Sequence, residues 1–228
     1  MVSPAVEYPL LLVNLKTYRE SLGERAVSLA KVSRKIAQET GICVALAPQY
    51  VDIRMVAESG VPVFAQHVDP ITPGRNTGHS LPEAAADAGC AGTLINHSEK
   101  QLHLDTIKAV VDRVKEVGLV AVVCVDTPEK AGKVASFGPD AIAIEPPELI
   151  GTGIPVSKAK PEIVSDSVEA VKAVNPSVRV LCGAGITSGE DVSAALRLGA
   201  EGILVASGVV KAGDPGEKLR DLAESMRG

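Results

Sequence analysis

Aromatic side chains are scarce in this chain of 228 residues: tryptophan is absent, and aromatics make up only 2%. Proteins that bind nucleic acid stack bases on such rings and present a basic face, whereas the net charge here is −5. Nucleic acid is therefore excluded as a partner. Long apolar runs are missing too; the longest are strand-sized, so no transmembrane helix and no membrane partner are expected. The N-terminus lacks a basic region leading into an apolar stretch and a cleavage site, which points to a cytoplasmic protein. Cysteine is limited to Cys43, Cys90, Cys124 and Cys182, with no C-x-x-C pair. Three of them sit in apolar runs and read as small buried hydrophobes, not as a zinc site or a disulfide framework. The four histidines do not fall at metal-ligand spacing. His67 with Asp69 is the nearest thing to a pair, and two ligands make no site. Neither a metal nor a cofactor is expected.

What remains is aliphatic. Hydrophobic residues reach 46% with few rings among them, so Val, Ile, Leu and Ala must fill the core. They recur as short runs: Leu10–Leu15, Ile42–Ala47, Val61–Gln66, Gly92–Asn96, Leu119–Val125, Ala141–Ile144, Val178–Cys182 and Gly202–Ala206. Amphipathic helical periodicity fills the gaps, clearest in Glu24–Glu39, Leu102–Val117, Pro161–Val174 and Ser188–Leu198. Ser188 with Asp191 reads as a capping box, and Pro128 falls early in a helix's first turn. Glycines at 41, 60, 89, 118 and 199 read as helix ends. Eight strand-plus-helix units without a linker predict one domain over residues 1–228, an α/β fold of the (β/α)8 TIM-barrel kind with parallel strands inside a ring of helices. An open doubly wound sheet is the alternative.

A barrel of this kind places its chemistry at the C-terminal ends of its strands. The sixth run ends in Glu145, followed by the proline-stiffened, glycine-tipped stretch Pro146–Gly153. A rigidly held carboxylate under a loop able to close over it is what a proton-abstracting base needs. The first run ends in Asn14-Leu15-Lys16, where the Asn and Lys side chains, two residues apart, point the same way. On an acidic protein that Lys suits an anionic substrate. The fourth run ends in Asn96-His97-Ser98-Glu99, where His97 could act as an acid/base or donate to a reacting oxygen. Taken singly, each has an ordinary reading as a solvated surface residue. The seventh and eighth runs end in Gly183-Ala184-Gly185 and Ala206-Ser207-Gly208. Small-residue loops at these two places commonly bind phosphate through backbone N–H groups.

Together, Asn14-x-Lys16, His97-Ser98-Glu99, Glu145-Pro146 with Ile150-Gly151-Thr152-Gly153, and the two small-residue loops resemble the triosephosphate isomerase family, in order along the whole chain. The compact length and the wording Glu-Pro-Pro-Glu-Leu-Ile-Gly-Thr-Gly resemble its archaeal branch. The resemblance implies interconversion of dihydroxyacetone phosphate and glyceraldehyde 3-phosphate through an enediolate, in glycolysis and gluconeogenesis. By the family's known pattern, Glu145 is the base and His97 is a neutral electrophile, kept so by a helix N-terminus. Lys16 would stabilise the enediolate and phosphate charge, with Asn14 orienting it. Ile150, Gly151, Gly185, Ala206 and Ser207 would surround the substrate's phosphate.

Some positions depart from the commoner pattern. Glu148 stands where most members have a lid Trp, and Ile154-Pro155-Val156 replaces the usual distal hinge. Ala184 and Gly185 occupy a place where many members carry a Ser, so backbone groups must do more of the phosphate binding. Glu99 matches an acid of the family, and a salt bridge at the barrel mouth explains it equally well. His67–Leu81, at roughly fifteen residues against about 2–6 for an ordinary βα connection, resembles the protruding loop through which members dimerise. The resemblance therefore implies a homo-oligomer with contacts near Thr77, a homotetramer in the archaeal branch. The rival readings are another phosphosugar isomerase or epimerase and a catalytically silent phosphosugar-binding barrel.

Overall fold

In each apolar run both faces are hydrophobic, so neither can be left to solvent. The computed structural model of the chain, which describes residues 3–146, 155 and 159–227, shows how both are covered. The strands are β1 (Leu10–Asn14), β2 (Cys43–Ala47), β3 (Val63–Ala65), β4 (Cys90–Ile95), β5 (Val120–Val125), β6 (Ala141–Ile144), β7 (Arg179–Cys182) and β8 (Gly202–Val205). They pair in parallel, in chain order, and β8 closes on β1. Alternate residues then go to alternate sides. Leu10, Leu12, Ala45, Ala47, Phe64, Leu94, Val122, Cys124, Ala143, Leu181 and Leu204 form a buried cluster inside the barrel. Leu11, Val13, Val44, Leu46, Val123, Ile142, Ile144 and Val180 face outwards into a larger cluster beneath the helices.

Phe64, one of two phenylalanines in the chain, fills the barrel centre from β3. Gly92 on β4 is what makes room for it, because a Cβ there would collide with the Phe64 ring. Bulk from one strand against nothing on the next keeps the interior filled without strain.

The helices among the described residues are α1 (Glu24–Thr40), α2 (Ile53–Ala57), α3 (Pro82–Asp87), α4 (Leu104–Glu116), α5 (Pro128–Ala135), α6 (Pro161–Val174), α7 (Gly189–Arg197), α8 (Ser207–Val210) and α9 (Pro215–Glu224). The expected start signals are present. Thr127 caps α5 by accepting the Lys130 N–H, and Ser188 and Asp191 form a full capping box on α7. Gly41 closes α1 in the left-handed region at φ 75°, where a side chain would be strained. None of the described helices is long and apolar enough to cross a membrane.

Two boundaries differ from the sequence pattern for a reason that matters to the site. β1 stops at Asn14, one residue short, because Lys16 turns left-handed at φ 47°. The third run keeps only Val63–Ala65 of Val61–Gln66, and Gln66 leaves the ladder to use its side chain elsewhere.

Candidate active site

The inward parity that fills the barrel also selects what reaches its mouth. Continuing Leu10, Leu12 gives Asn14; continuing Ala141, Ala143 gives Glu145. Lys16 follows Asn14 through a backbone conformation that a non-glycine residue adopts only at a cost of about 1 kcal/mol or more. Side chains hold both ends of that residue. Asn14 Oδ1 accepts the Lys16 N–H at 2.9 Å, and Gln66 Nε2 donates to the Lys16 carbonyl at 2.9 Å and to the Ala47 carbonyl at 3.0 Å. The Lys16 ammonium lies 3.0 Å from Glu99 Oε1, with the lysine side chain 10% exposed.

Glu145 leaves β6 with its N–H bonded to the Val125 carbonyl at 2.7 Å, and its side chain is buried. It crosses directly over Gly183, the residue after β7: a Cβ there would lie 2.6 Å from Glu145 Cγ. Burial raises the Glu145 pKa from 4.5 to about 7, with Glu99 adding to the rise and Cys124 and Lys16 opposing it. The Cys124 thiol is a close neighbour that opposes the rise, and Glu145 Oε2 has no hydrogen-bond partner among the described residues. A carboxylate so placed is a strong base because little stabilises its charge.

His97 is brought to the mouth by Asn96, the other non-glycine residue with positive φ among the described residues, at 60°. Asn96 holds that turn from both sides. Its Nδ2 donates to the Cys124 carbonyl at 2.7 Å, and its Oδ1 accepts the Leu102 N–H at 2.7 Å. Nδ1 of His97 accepts the Glu99 N–H at 3.1 Å, so the proton of the neutral ring sits on Nε2. That N–H belongs to a single turn; the helix itself starts only at Leu104. Burial, then the Lys16 charge, hold the His97 pKa down at about 4 against Glu99, and the ring is neutral at pH 7. Nε2 stands 3.5 Å from Glu145 Oε1. A neutral donor and a carboxyl base thus lie side by side on the wall of one cavity.

Across that space lie the two small-residue loops. Gly185 takes φ 72°, and Gly208 is fixed by crowding, since a Cβ would come 2.6 Å from the Ile186 carbonyl. Asn14, Lys16, His97, Glu145, Gly185, Ala206 and Ser207 all line one cavity of about 50 Å³, with Tyr18 and Thr187 completing its wall. Ile150 and Gly151 lie outside the described residues. Gln66 and Asn96 serve the site without having been given a role in it from sequence, and Gly183, read only as part of a small-residue loop, also makes room for Glu145. The available signal was a polar or small residue at a strand end. No three of His, Cys, Asp and Glu gather as metal ligands among the described residues.

A second recess of about 470 Å³ adjoins the first and shares Asn14, Lys16, Tyr18 and His97; Tyr50, Gln66, His67 and Ser80 form its far side. Beside it Val51 is 80% exposed, and Tyr50 and Met55 are exposed as well. The 67–81 segment leaves this region as a closed loop, pinned where the Asp69 carboxylate accepts the Ser80 N–H at 2.7 Å and by Arg113 donating to the Ile71 carbonyl at 3.0 Å. Its tip, including Thr77, is exposed.

Comparisons with known proteins agree with one another. The sequence model of the family described as Triosephosphate isomerase matches residues 9–226. A triosephosphate isomerase of Methanocaldococcus jannaschii is 56% identical over 93% of this chain and 98% of its own length. One from Methanothermus fervidus is 50% identical over 97% of this chain and 100% of its own. The crystal structure of triosephosphate isomerase from Bartonella henselae superposes with a TM-score of 0.71 over 96% of this chain and 99% of that one. At 16% identity that last likeness speaks for the fold alone.

Proposed function

The chain belongs to the triosephosphate isomerase family, and from that premise we propose that it interconverts dihydroxyacetone phosphate and glyceraldehyde 3-phosphate through an enediolate, with Glu145 and His97 as the reacting pair. The observation that carries this reading is the approach of His97 Nε2 to Glu145 Oε1 at 3.5 Å, in a cavity that also holds Lys16 and the two glycine-bearing loops. The substrate's carbonyl oxygen lies against Nε2–H, and the adjacent carbon offers its proton to Glu145. Abstraction makes the carboxyl neutral and leaves the negative charge on the oxygen, stabilised by His97 and by the Lys16 ammonium. The same carboxyl returns the proton to the neighbouring carbon, while His97 Nε2 gives its proton to the former carbonyl oxygen and takes one from the adjacent hydroxyl, so that the carbonyl moves by one carbon. The step is redox-neutral within one molecule and needs no metal or cofactor.

A neutral His97 is the better electrophile here. An imidazolium would pair with Glu145 in the ground state and weaken the base. Backbone N–H groups around Gly185, Ala206 and Ser207 hold the phosphate in this reading. Ile150 and Gly151 belong to a lid that excludes water and protects the enediolate from losing phosphate. The 470 Å³ recess, with Val51 and Met55 exposed beside it, supports a homo-oligomer in which the loop tip near Thr77 of one copy enters the recess of another. Four copies are the expected assembly, to be checked by light scattering.

A coupled assay with either triose phosphate, with and without chelator, tests the activity. Chelator-insensitive turnover is expected. A chain that binds a phosphoglycolate-type ligand without turnover is instead a silent phosphosugar-binding barrel, and one that needs added metal to act is another phosphosugar isomerase or epimerase, of the metal-using kind.

A further inference from the structure

Lys16 is a poor long-range lure for an anion, because Glu99 lies 3.0 Å from its ammonium and cancels most of its field. Lys218 is engaged too, donating to the Thr187 carbonyl at 2.7 Å with Asp221 at 3.7 Å. Lys211 is held differently. Its ammonium sits 4.4 Å from the centroid of the Tyr18 ring, and it makes no ion pair among the described residues. Tyr18 is half-buried against the core and lines the active-site cavity with Ser207 and Gly208. The Lys211 N–H donates to the Ser207 carbonyl at 3.0 Å, placing this lysine one turn beyond the proposed phosphate loop. An ion pair fixes an ammonium but neutralises it. A ring face fixes it and leaves the full charge.

The geometry points to Lys211, pinned on Tyr18, as a steering residue that draws the substrate's phosphate dianion into the cavity of an otherwise acidic protein. The inference rests on the isomerase reading. Steering of this kind raises association about tenfold or more and fades with salt, as the screening length falls from about 30 Å at 0.01 M to about 3 Å at 1 M. The test is kcat/KM of Lys211→Met and Lys211→Arg for glyceraldehyde 3-phosphate at about 0.01 M and 1 M ionic strength, and for phosphate-free glyceraldehyde. Lys211→Met is expected to lose about tenfold at low salt and under about twofold at high salt. It should lose nothing on glyceraldehyde, and Lys211→Arg should keep the wild-type salt dependence. A loss equal at both salts, a matching loss on glyceraldehyde, or no loss at low salt overturns the inference. A wild type that does not isomerise triose phosphate overturns the functional reading, and this one with it.

Discussion

Gly183→Ala isolates the position of the base from its identity. The new methyl carbon would lie 2.6 Å from Glu145 Cγ, 3.4 Å from its Cδ and 3.1 Å from the Ile144 carbonyl. Ordinary carbon–carbon contact begins near 3.5 Å, so Cγ must retreat by about 1 Å. The backbone there is fixed by Gly183 N–H donating to the Ile144 carbonyl at 2.9 Å and Glu145 N–H to the Val125 carbonyl at 2.7 Å. The side chain therefore moves, and the strand does not. Misplacement of a reacting group by about 1 Å costs on the order of 100-fold in rate, equivalent to about 2.7 kcal/mol of barrier. Overpacking costs stability as well, about 1–3 kcal/mol, which lowers the melting temperature of a chain this size by several degrees. The expected result is a kcat about 100-fold down, KM nearly unchanged and a folded barrel by circular dichroism. Gly213→Ala is the control, since a Cβ there meets nothing within 4 Å. A folded Gly183→Ala with wild-type kcat would refute the reasoning, and a loss confined to protein that has unfolded would not support it.

Glu145→Asp keeps the carboxylate but withdraws it by one methylene; kcat should fall about 100-fold with KM little changed, and near-normal turnover would remove Glu145 from the role. Lys16→Met should nearly abolish activity and weaken calorimetric binding of a phosphoglycolate-type ligand, whereas unchanged affinity would mean the anion is held elsewhere. Gln66→Leu deprives the Lys16 and Ala47 carbonyls of their donor and should cost about tenfold or more in kcat/KM, in proportion to an unpaired group's penalty of about 1–3 kcal/mol. Gln66→Glu, which keeps shape but not the donor, should fail to rescue it. The pH profile follows from the two shifts. His97, lowered from 6.5 to about 4, stays neutral above pH 5, while Glu145, raised from 4.5 to about 7, becomes the active base only as pH rises. So kcat/KM should climb through a midpoint near 7 with no further limb between 5 and 6.5 from histidine. A profile showing only the substrate phosphate's own ionisation near 6 would contradict the raised carboxylate.

The barrel was legible because its evidence is local. A short continuous apolar run says strand and says buried on both sides, and the parity of a strand fixes which residues share a face; Asn14 shares one with Leu12, and Glu145 with Ala143. Recognition of the family rested on residues at those same ends. What was not legible is how the ends are held. Gln66 closed an apolar run and so read as ladder, yet its amide serves a carbonyl 50 residues earlier in the chain. Nothing in a single sequence carries that distance. Gly183 read as turn glycine, while its reason is a side chain from the neighbouring strand passing across it.

Lys16 and Asn96, the left-handed non-glycine residues among the described ones, show where the limit lies. Asn tolerates positive φ more readily than most residues, so Asn96 before His97 carried a weak signal, and its side chain answers the turn on both sides. Lys16 carried none, because lysine has no local means of sustaining φ 47°. The conformation persists because Asn14, two residues back, and Gln66, just past the end of β3, bond the two ends of its backbone. A site built this way stores its geometry in the closed sheet and not in the motif. Asn14-x-Lys16 on an open strand would lack the Gln66 donor, and the lysine would relax to an ordinary conformation and point elsewhere. The motif therefore reports function only where the parallel order β1-β2-β3, which carries Gln66 past Ala47 to Lys16, is also present. For the same reason the proposed base and electrophile, on β6 and β4, can meet at 3.5 Å although 48 residues separate them.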